Sequence, residues 1–357
     1  MINNITLNNF RCFKNSTLEL SPGVNFFYGK NGSGKTSLLE AIYLCSSGKS
    51  FKSTNIKSLI SIGTDAFNIK GYDKDRGYTL SITKEKDKPV SVLLNNSKTT
   101  TSKLLKEFPS TAIHNNTFSF ADASPDFRRK LLDRSLFVAD QSFPEAWFSF
   151  HRCLKQRNSL LRNGSITNIE PWENKISDDG TILDSKRVIF FEQTTNELKN
   201  IISKLNKTSS IDYLKNIQIE FFSGWDKEKS LKEIIIYNRT IYLKIRSTSV
   251  GPHKADIMFL IQDIDARQIL SRGEQKLFSI LWCCAQHEVL RKTYNIRASL
   301  VIDDIKSELD DNTFGVFLNL LDSLNNQIIF SCIDDHFSSK IEPNYKDFKK
   351  FHVEQLR

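Results

Sequence analysis

Gly29-Lys30-Asn31-Gly32-Ser33-Gly34-Lys35-Thr36 is the stretch on which the reading of this chain turns. It fits G-x-x-x-x-G-K-[ST]. It stands between the strand-like run Val24-Asn25-Phe26-Phe27-Tyr28 and Leu38-Leu39-Glu40-Ala41-Ile42-Tyr43-Leu44, whose apolar residues have helical spacing. The glycines let backbone amides curl around phosphate oxygens, and the N-terminus of the following helix adds partial positive charge. Lys35 has the reach for the β- and γ-phosphates of a nucleotide, and the Thr36 hydroxyl is a ligand type for Mg²⁺. All eight residues are therefore candidates for holding nucleotide. The bland alternative is an ordinary glycine-rich turn, which the strand–turn–helix setting argues against.

Such a site needs a carboxylate for the metal at the end of a neighbouring buried strand. Leu300-Val301-Ile302-Asp303-Asp304 supplies one. Asp303 would hold Mg²⁺ through its water shell, and Asp304 would orient or deprotonate an attacking water. By itself a strand ending in two acids is commonly just a solvated loop start. With a phosphate loop in the same chain, the functional reading gains. A third element is Leu270-Ser271-Arg272-Gly273-Glu274-Gln275-Lys276, directly before a helical run. Residues 271–275 read either as a simple N-cap or as a second anion-binding helix terminus, with Ser271 contacting the nucleotide. Their place ahead of the acidic strand favours the second reading.

The remaining sequence bounds the answer. Its 357 residues are 39% hydrophobic and 25% charged, enough to bury a core and too ordinary for a disordered or collagen-like chain. A net charge of +9 leans mildly toward a polyanionic partner. The six cysteines include no C-x-x-C pair and the histidines no H-x-x-x-H pair, so metal chemistry falls to carboxylates, hydroxyls and phosphates. No apolar run approaches the ~20 residues of a membrane helix, and Met1-Ile2-Asn3-Asn4 opens straight into strand-like sequence. A soluble, cytoplasmic protein with no membrane partner is expected.

Along the chain, residues 1–123 read as strands around the phosphate loop. Residues 124–247 are mostly amphipathic helix: Phe127 to Ala139, Ala146 to Leu161, Ile182 to Leu205 and Leu231 to Ile245, with a strand at Ile217 to Phe222. From 248 to 357 strands and helices alternate again, with Ile257 to Ile261, Ser299 to Ile302 and Gln327 to Ser331 as strands. The fold class expected is α/β: a P-loop head with a mixed sheet and flanking helices, assembled from both chain ends around an inserted helical domain.

Taken together, the phosphate loop, the L-S-x-G-E-Q segment and the Asp-Asp strand end followed by Ser307-Glu308-Leu309-Asp310 resemble an ABC-type ATPase head. The narrower resemblance is to the RecF family of bacterial recombination mediators, relatives of the structural-maintenance-of-chromosomes (SMC) proteins. Leu7-Asn8-Asn9-Phe10-Arg11-Cys12-Phe13, Gly48-Lys49-Ser50-Phe51, Ser124 to Asp133 and Gly251-Pro252-His253-Lys254-Ala255-Asp256 carry it. The resemblance implies that 124–247 is a short lever arm and that ATP with Mg²⁺ is sandwiched in a homodimer. There Ser271 to Gln275 of one copy would face the γ-phosphate held by the other. It also implies double-stranded and gapped DNA as ligand, RecR- and RecO-type mediators as partners, and slow, DNA-stimulated hydrolysis used as a switch. Lys35, Ser271 and Asp304 would then be the catalytic set.

Two departures from the family pattern bear on turnover. His114-Asn115-Asn116-Thr117-Phe118 stands where an acidic stretch is usual, without the metal-contacting Gln of ABC ATPases, and Ile329-Phe330-Ser331-Cys332 lacks the switch His. Arg128 and Arg129, heading an amphipathic helix, read as DNA contacts or as solvated surface. Arg11 reads as a purine or phosphate contact or as part of a turn. Rival readings are an ATP-gated DNA clamp without appreciable hydrolysis and an ATPase subunit of another complex. A RecF-like head carrying a nuclease would need an additional acidic domain.

Overall fold

The computed structural model describes every residue except 115–116, 118–120, 122, 208, 210, 322–323, 325 and 343–344. Its strands are β1 (Asn4–Phe10), β2 (Phe13–Glu19), β3 (Val24–Tyr28), β4 (Ala66–Asp73), β5 (Tyr78–Glu85), β6 (Ser91–Leu94) and β7 (Ser97–Lys98). They continue with β8 (Ser110–Ile113), β9 (Gln218–Phe222), β10 (Asp256–Ile261), β11 (Ile264–Asp265), β12 (Ser299–Ile302), β13 (Ile328–Cys332) and β14 (Phe348–His352). The longer helices are α1 (Lys35–Ser47), α2 (Thr101–Glu107), α3 (Pro125–Ala139), α4 (Phe143–Arg162) and α5 (Glu170–Leu205). After them come α6 (Leu231–Tyr237), α7 (Arg239–Ile245), α8 (Arg272–Lys292) and α9 (Asp311–Leu321).

The chain divides into two units: 1–119 with 201–210 and 271–357, and 120–200 with 211–270. In the first, β2-β1-β4-β5-β6-β7 form an antiparallel sheet and β14-β3-β13-β12-β8 a parallel one. Strands β12 and β13 are buried at every residue, which is why they read as continuous apolar runs rather than alternating ones. Helix α1 lies within one core with both sheets: Leu38 and Leu39 cluster with Ile5 and Phe67 of the antiparallel sheet and with Val301 and Ile329 of the parallel one. Register aligns Val24 with Ile328 and Ile328 with Leu300, so β3, β13 and β12 end together at one carboxyl edge. Open α/β sheets place ligands outside that edge.

The second unit is held by buried ion pairs. Arg187 forks onto Asp133 at 2.8 Å on both arms and donates to the Pro252 carbonyl at 2.6 Å. Arg157, fully buried, donates to Glu173 and to Thr248, and Arg239 also pairs with Glu173. The expected helix from 231 to 245 is two helices, because Asn238 leaves helical geometry and turns its amide onto the Ile234 carbonyl at 3.1 Å. The expected boundary at 248 moves to 271. Residues 248–270 belong with the helical unit since β10 pairs antiparallel with β9 there.

Arg128 and Arg129, read as DNA contacts or as solvated surface, are largely buried in this unit. Arg128 is 8% exposed, forks onto Asp256 at 2.8 Å on both arms, and donates to the Ala123 carbonyl. Arg129 donates to the Ala255 carbonyl at 2.5 Å and keeps only 15% of its side chain exposed. Both arginines are thus tied into this unit, Arg128 by its fork onto Asp256 and Arg129 by the Ala255 carbonyl, which gives each a structural role there. Arg128→Ala leaves Asp256 without its partner, and we expect about 3 kcal/mol of destabilisation in urea unfolding. DNA affinity of the folded fraction should keep the wild-type salt slope.

In the first unit, His287 on α8 is 1% exposed with no hydrogen-bond partner at either ring nitrogen, and burial pushes its pKa down to about 4. The unfolded chain takes up a proton near 6.5 and the folded one only near 4, so stability falls as pH drops through that window. Acid titration of the melting temperature should show this slope, and His287→Leu should flatten it by up to about 3 kcal/mol.

Candidate functional site

β3 delivers the chain straight into Gly29, and α1 begins at Lys35. Between them Gly32 and Gly34 take φ values of 77° and 109°, which side-chain-bearing residues avoid. A Cβ at Gly34 would meet Cys12 Sγ at 2.7 Å and the Phe13 ring at 3.1 Å, whereas one at Gly32 would meet nothing. The loop is thus pressed on one side by the β1–β2 turn and open on the other. Gly34 caps α1 without any side-chain acceptor, so no side chain of the cap competes for the first amides of the helix. Lys35, 7% exposed, folds over the loop and donates to the carbonyls of Gly29 (2.6 Å) and Lys30 (3.1 Å).

The acidic strand end lies against this loop, as its sequence suggests. Thr36 Oγ1 donates to Asp303 Oδ1 at 3.1 Å. Ser331 Oγ donates to the same oxygen at 2.9 Å and accepts from the Asp304 amide at 2.9 Å. Ser331 is the residue that sequence reasoning passed over: it registered there only as the absence of a histidine. Its signal is positional, the last turn inward on the strand paired with β12. Burial raises the pKa of Asp303, with the Asp304 charge adding to it and the Ser331 and Thr36 hydrogen bonds opposing. Burial likewise raises Asp304, against the pull of the Lys35 ammonium. Asp304 sits in left-handed geometry at φ 44° and its Oδ1 is buried without a hydrogen-bond partner.

A cavity of about 630 Å³ opens over the loop, walled by residues 31–37, Asp304, Lys14, Lys52 and the turn at 58–62. Arg11 also lines it, but its guanidinium forks onto fully buried Glu40 at 2.8 and 3.1 Å, with Ser50 donating to the same carboxylate. Arg11 is therefore a brace of the wall first. The residues fit a magnesium nucleotide. Ser33 Oγ is 3% exposed and has no partner, an orphan that a phosphate oxygen satisfies. Thr36 spends its hydrogen on Asp303, which leaves its oxygen lone pairs for a cation, and a hydroxyl beside a carboxylate is the hard-oxygen set that Mg²⁺ prefers.

None of residues 271–275 lines that cavity. Ser271 caps α8 in a capping box: its Oγ accepts from the Glu274 amide at 3.3 Å, and its own amide donates to Glu274 Oε2 at 2.7 Å. Ser271 and Arg272 are exposed. Gly273 lies beside Asp310, whose carboxylate would be 3.3 Å from a Cβ there, and Lys276 reaches Glu308 at 2.6 Å. Asn115 and Asn116 lie outside the described residues; neighbouring His114 stacks on Phe51 with centroids 4.9 Å apart. Among the described residues no helix is long and apolar enough to cross a membrane.

Known proteins share both the sequence and the fold. The family described as RecF/RecN/SMC N terminal domain matches residues 1–353. DNA replication and repair protein RecF of Francisella tularensis subsp. tularensis (strain WY96-3418) is 31% identical over 334 residues, covering 92% of this chain and 94% of the relative. The same protein of Francisella tularensis subsp. novicida (strain U112) is equally similar. Among solved structures, one of the recombination mediator protein RecF with ATP, from the RecFOR pathway, superposes with a TM-score of 0.83 at 25% identity, covering 99% of this chain and 97% of that one. An Smc head bound to the C-winged helix domain of ScpA gives 0.58 at 17% identity, covering 98% and 93%, a likeness of fold. Sequence, fold and the paired phosphate loop and acidic strand agree: the chain belongs to the RecF/RecN/SMC N terminal domain family, on its RecF branch.

Proposed function

We propose that this chain is an ATP-switched DNA-binding protein of recombinational repair and replication restart, two copies of which close on each other around ATP. One observation carries the reading: the cavity holding Lys35, Thr36 and Asp304 contains a phosphate loop, while the second helix terminus, at Ser271, is exposed and lines no part of that cavity. Within one copy that terminus has no phosphate to meet. Across a two-fold axis it completes the γ-phosphate shell of the other copy. The relatives named for DNA replication and repair, and the one solved with ATP in the RecFOR pathway, support the same setting. By that likeness, gapped or stalled double-stranded DNA is the ligand, RecR- and RecO-type mediators are the partners, and recombinase loading with the SOS response follows.

In this reading the amides and Ser33 of the loop hold phosphate oxygens, and Lys35 neutralises them from below. Thr36 and Asp303 hold Mg²⁺, which when bound neutralises phosphate charge. Asp304, its pKa raised by burial, takes a proton from a water at the γ-phosphate side of the cavity. Ser331 fills the place where a histidine would supply a second titratable group, which supports slow turnover and a switch rather than a motor. Joining two copies, each of net charge +9, gathers a DNA-attracting field that closure makes ATP-dependent.

Two measurements test this. Asp304→Asn should bind ATP near wild-type affinity and lose roughly 10²- to 10⁴-fold in turnover, so that ATP-induced dimers persist in gel filtration; unchanged turnover assigns the proton acceptor elsewhere. Ser271→Arg and Lys35→Ala should each fail to dimerise with ATP. Their mixture should recover crosslinking between differently tagged chains, because one of its two composite sites is intact. Normal ATP-dependent dimers from either variant alone would remove the basis for closure in trans.

A further inference from the structure

The last turn of the chain lies on the phosphate loop. β14 runs parallel to β3 in register, Phe351 beside Phe27 and His352 beside Tyr28, and both pairs stack, with centroids 4.7 and 5.0 Å apart. Because β3 leads directly into Gly29, the residues following β14 arrive alongside the loop. Val353 anchors them, fully buried in the core of the first unit. Glu354 Oε1 then accepts from the Lys30 amide at 2.8 Å, and Arg357 donates to the Gly32 carbonyl. Ser16 donates to the Leu356 carbonyl and fixes the turn between them.

We propose that residues 353–357 form a strap that orders the phosphate loop, with Glu354 as a positioning residue and Arg357 as an added cation of the nucleotide pocket. This rests on the reading of the cavity as an ATP site. Three features support it. First, a Cβ on Gly29 would lie 2.4 Å from Glu354 Oε2 and 2.9 Å from Ser33 Oγ, so the strap's carboxylate packs closely on the loop at the glycine. Second, the opposite charges are sorted. Arg357 lines the nucleotide cavity, while Glu354 does not and lies 2.9 Å from His352 on the loop's outer flank. An anion entering the cavity meets the guanidinium and not the carboxylate. Third, the glycines make the free loop costly to order, and holding the Lys30 amide and the Gly32 carbonyl from outside supplies that order before nucleotide arrives. It follows that the Lys30 amide braces the loop and that the phosphate cradle begins at Asn31.

Fluorescent ATP titrated into the 357-residue chain tests the strap. Glu354→Ala should weaken ATP binding about tenfold, the usual cost of losing an outer-shell support, with the nucleotide-free melting temperature unchanged. Glu354→Gln keeps an oxygen for the Lys30 amide and should restore most of the affinity, a rescue that loss of charge alone would not give. Arg357→Ala should weaken ATP several-fold at low salt and less at high salt, and Arg357→Lys should recover part of the loss. Lys35→Ala is the control for the site. If it loses ATP while all four strap variants bind like wild type, the strap is refuted and the site stands. If Lys35→Ala binds like wild type, the site reading falls and the strap with it. Equal loss in Glu354→Ala and Glu354→Gln, or loss only alongside a lowered melting temperature, also overturns the positioning role.

Discussion

The hydrogen bond from Thr36 to Asp303 joins two residues 267 positions apart, and the site stands or falls with it. It exists because β3 and β12 both pair with β13, which brings the end of the phosphate-loop strand and the end of the acidic strand to one edge. Parallel strands need long crossovers, and here one crossover carries the whole helical unit. That is thermodynamically mild, since closing a loop costs only about 0.6 kcal/mol more for each doubling of its length. What cannot vary is the register. A slip of one residue at β13 would turn Ser331 away from Asp303 and leave both acids without their shared hydroxyl.

The same edge concentrates charge. Asp303 and Asp304 are adjacent, both with pKa values raised by burial, and Asp303 is raised further by its neighbour. Two half-buried carboxylates side by side are unfavourable unless cations and donors offset them. Thr36 and Ser331 supply donors, Lys35 supplies the charge, and Lys14, Lys52 and Arg357 ring the cavity. A site so arranged has a net preference for a bound anion with its own cation, which is the character of a magnesium nucleotide.

How far the sequence reveals this depends on how local each signal is. The phosphate loop, the apolar strand ending in Asp303 and the Ser271 helix start are written in consecutive residues, and the structure has each of them. Ser331 is not, because its meaning comes from lying next to β12, and no periodicity records which strands are neighbours. The same holds for Arg128, whose partner Asp256 is distant in sequence; a pair of arginines at a helix start looks solvated until that carboxylate is seen between its nitrogens. Strand β10 was legible as a strand, yet its pairing with β9 assigns it to the helical unit rather than the head. The expected helix from 231 to 245 breaks at Asn238, whose side-chain amide competes for a backbone carbonyl.

The proposed closure in trans would place a demand on Ser271 that its geometry can meet. Its oxygen accepts from the Glu274 amide and its own amide is held by the Glu274 carboxylate, so the helix start is already satisfied without nucleotide. In that box the hydroxyl uses a lone pair and keeps its hydrogen. A serine can therefore cap its own helix and donate to a phosphate of the other copy together, with no rearrangement between open and closed states. Glu274 opposes this, since its carboxylate stands near the arriving phosphate and is stabilised by the Ser271 amide it holds. In the proposed dimer one intact site would then supply a partial hold and two a full one, so that closure would strengthen stepwise as each nucleotide binds.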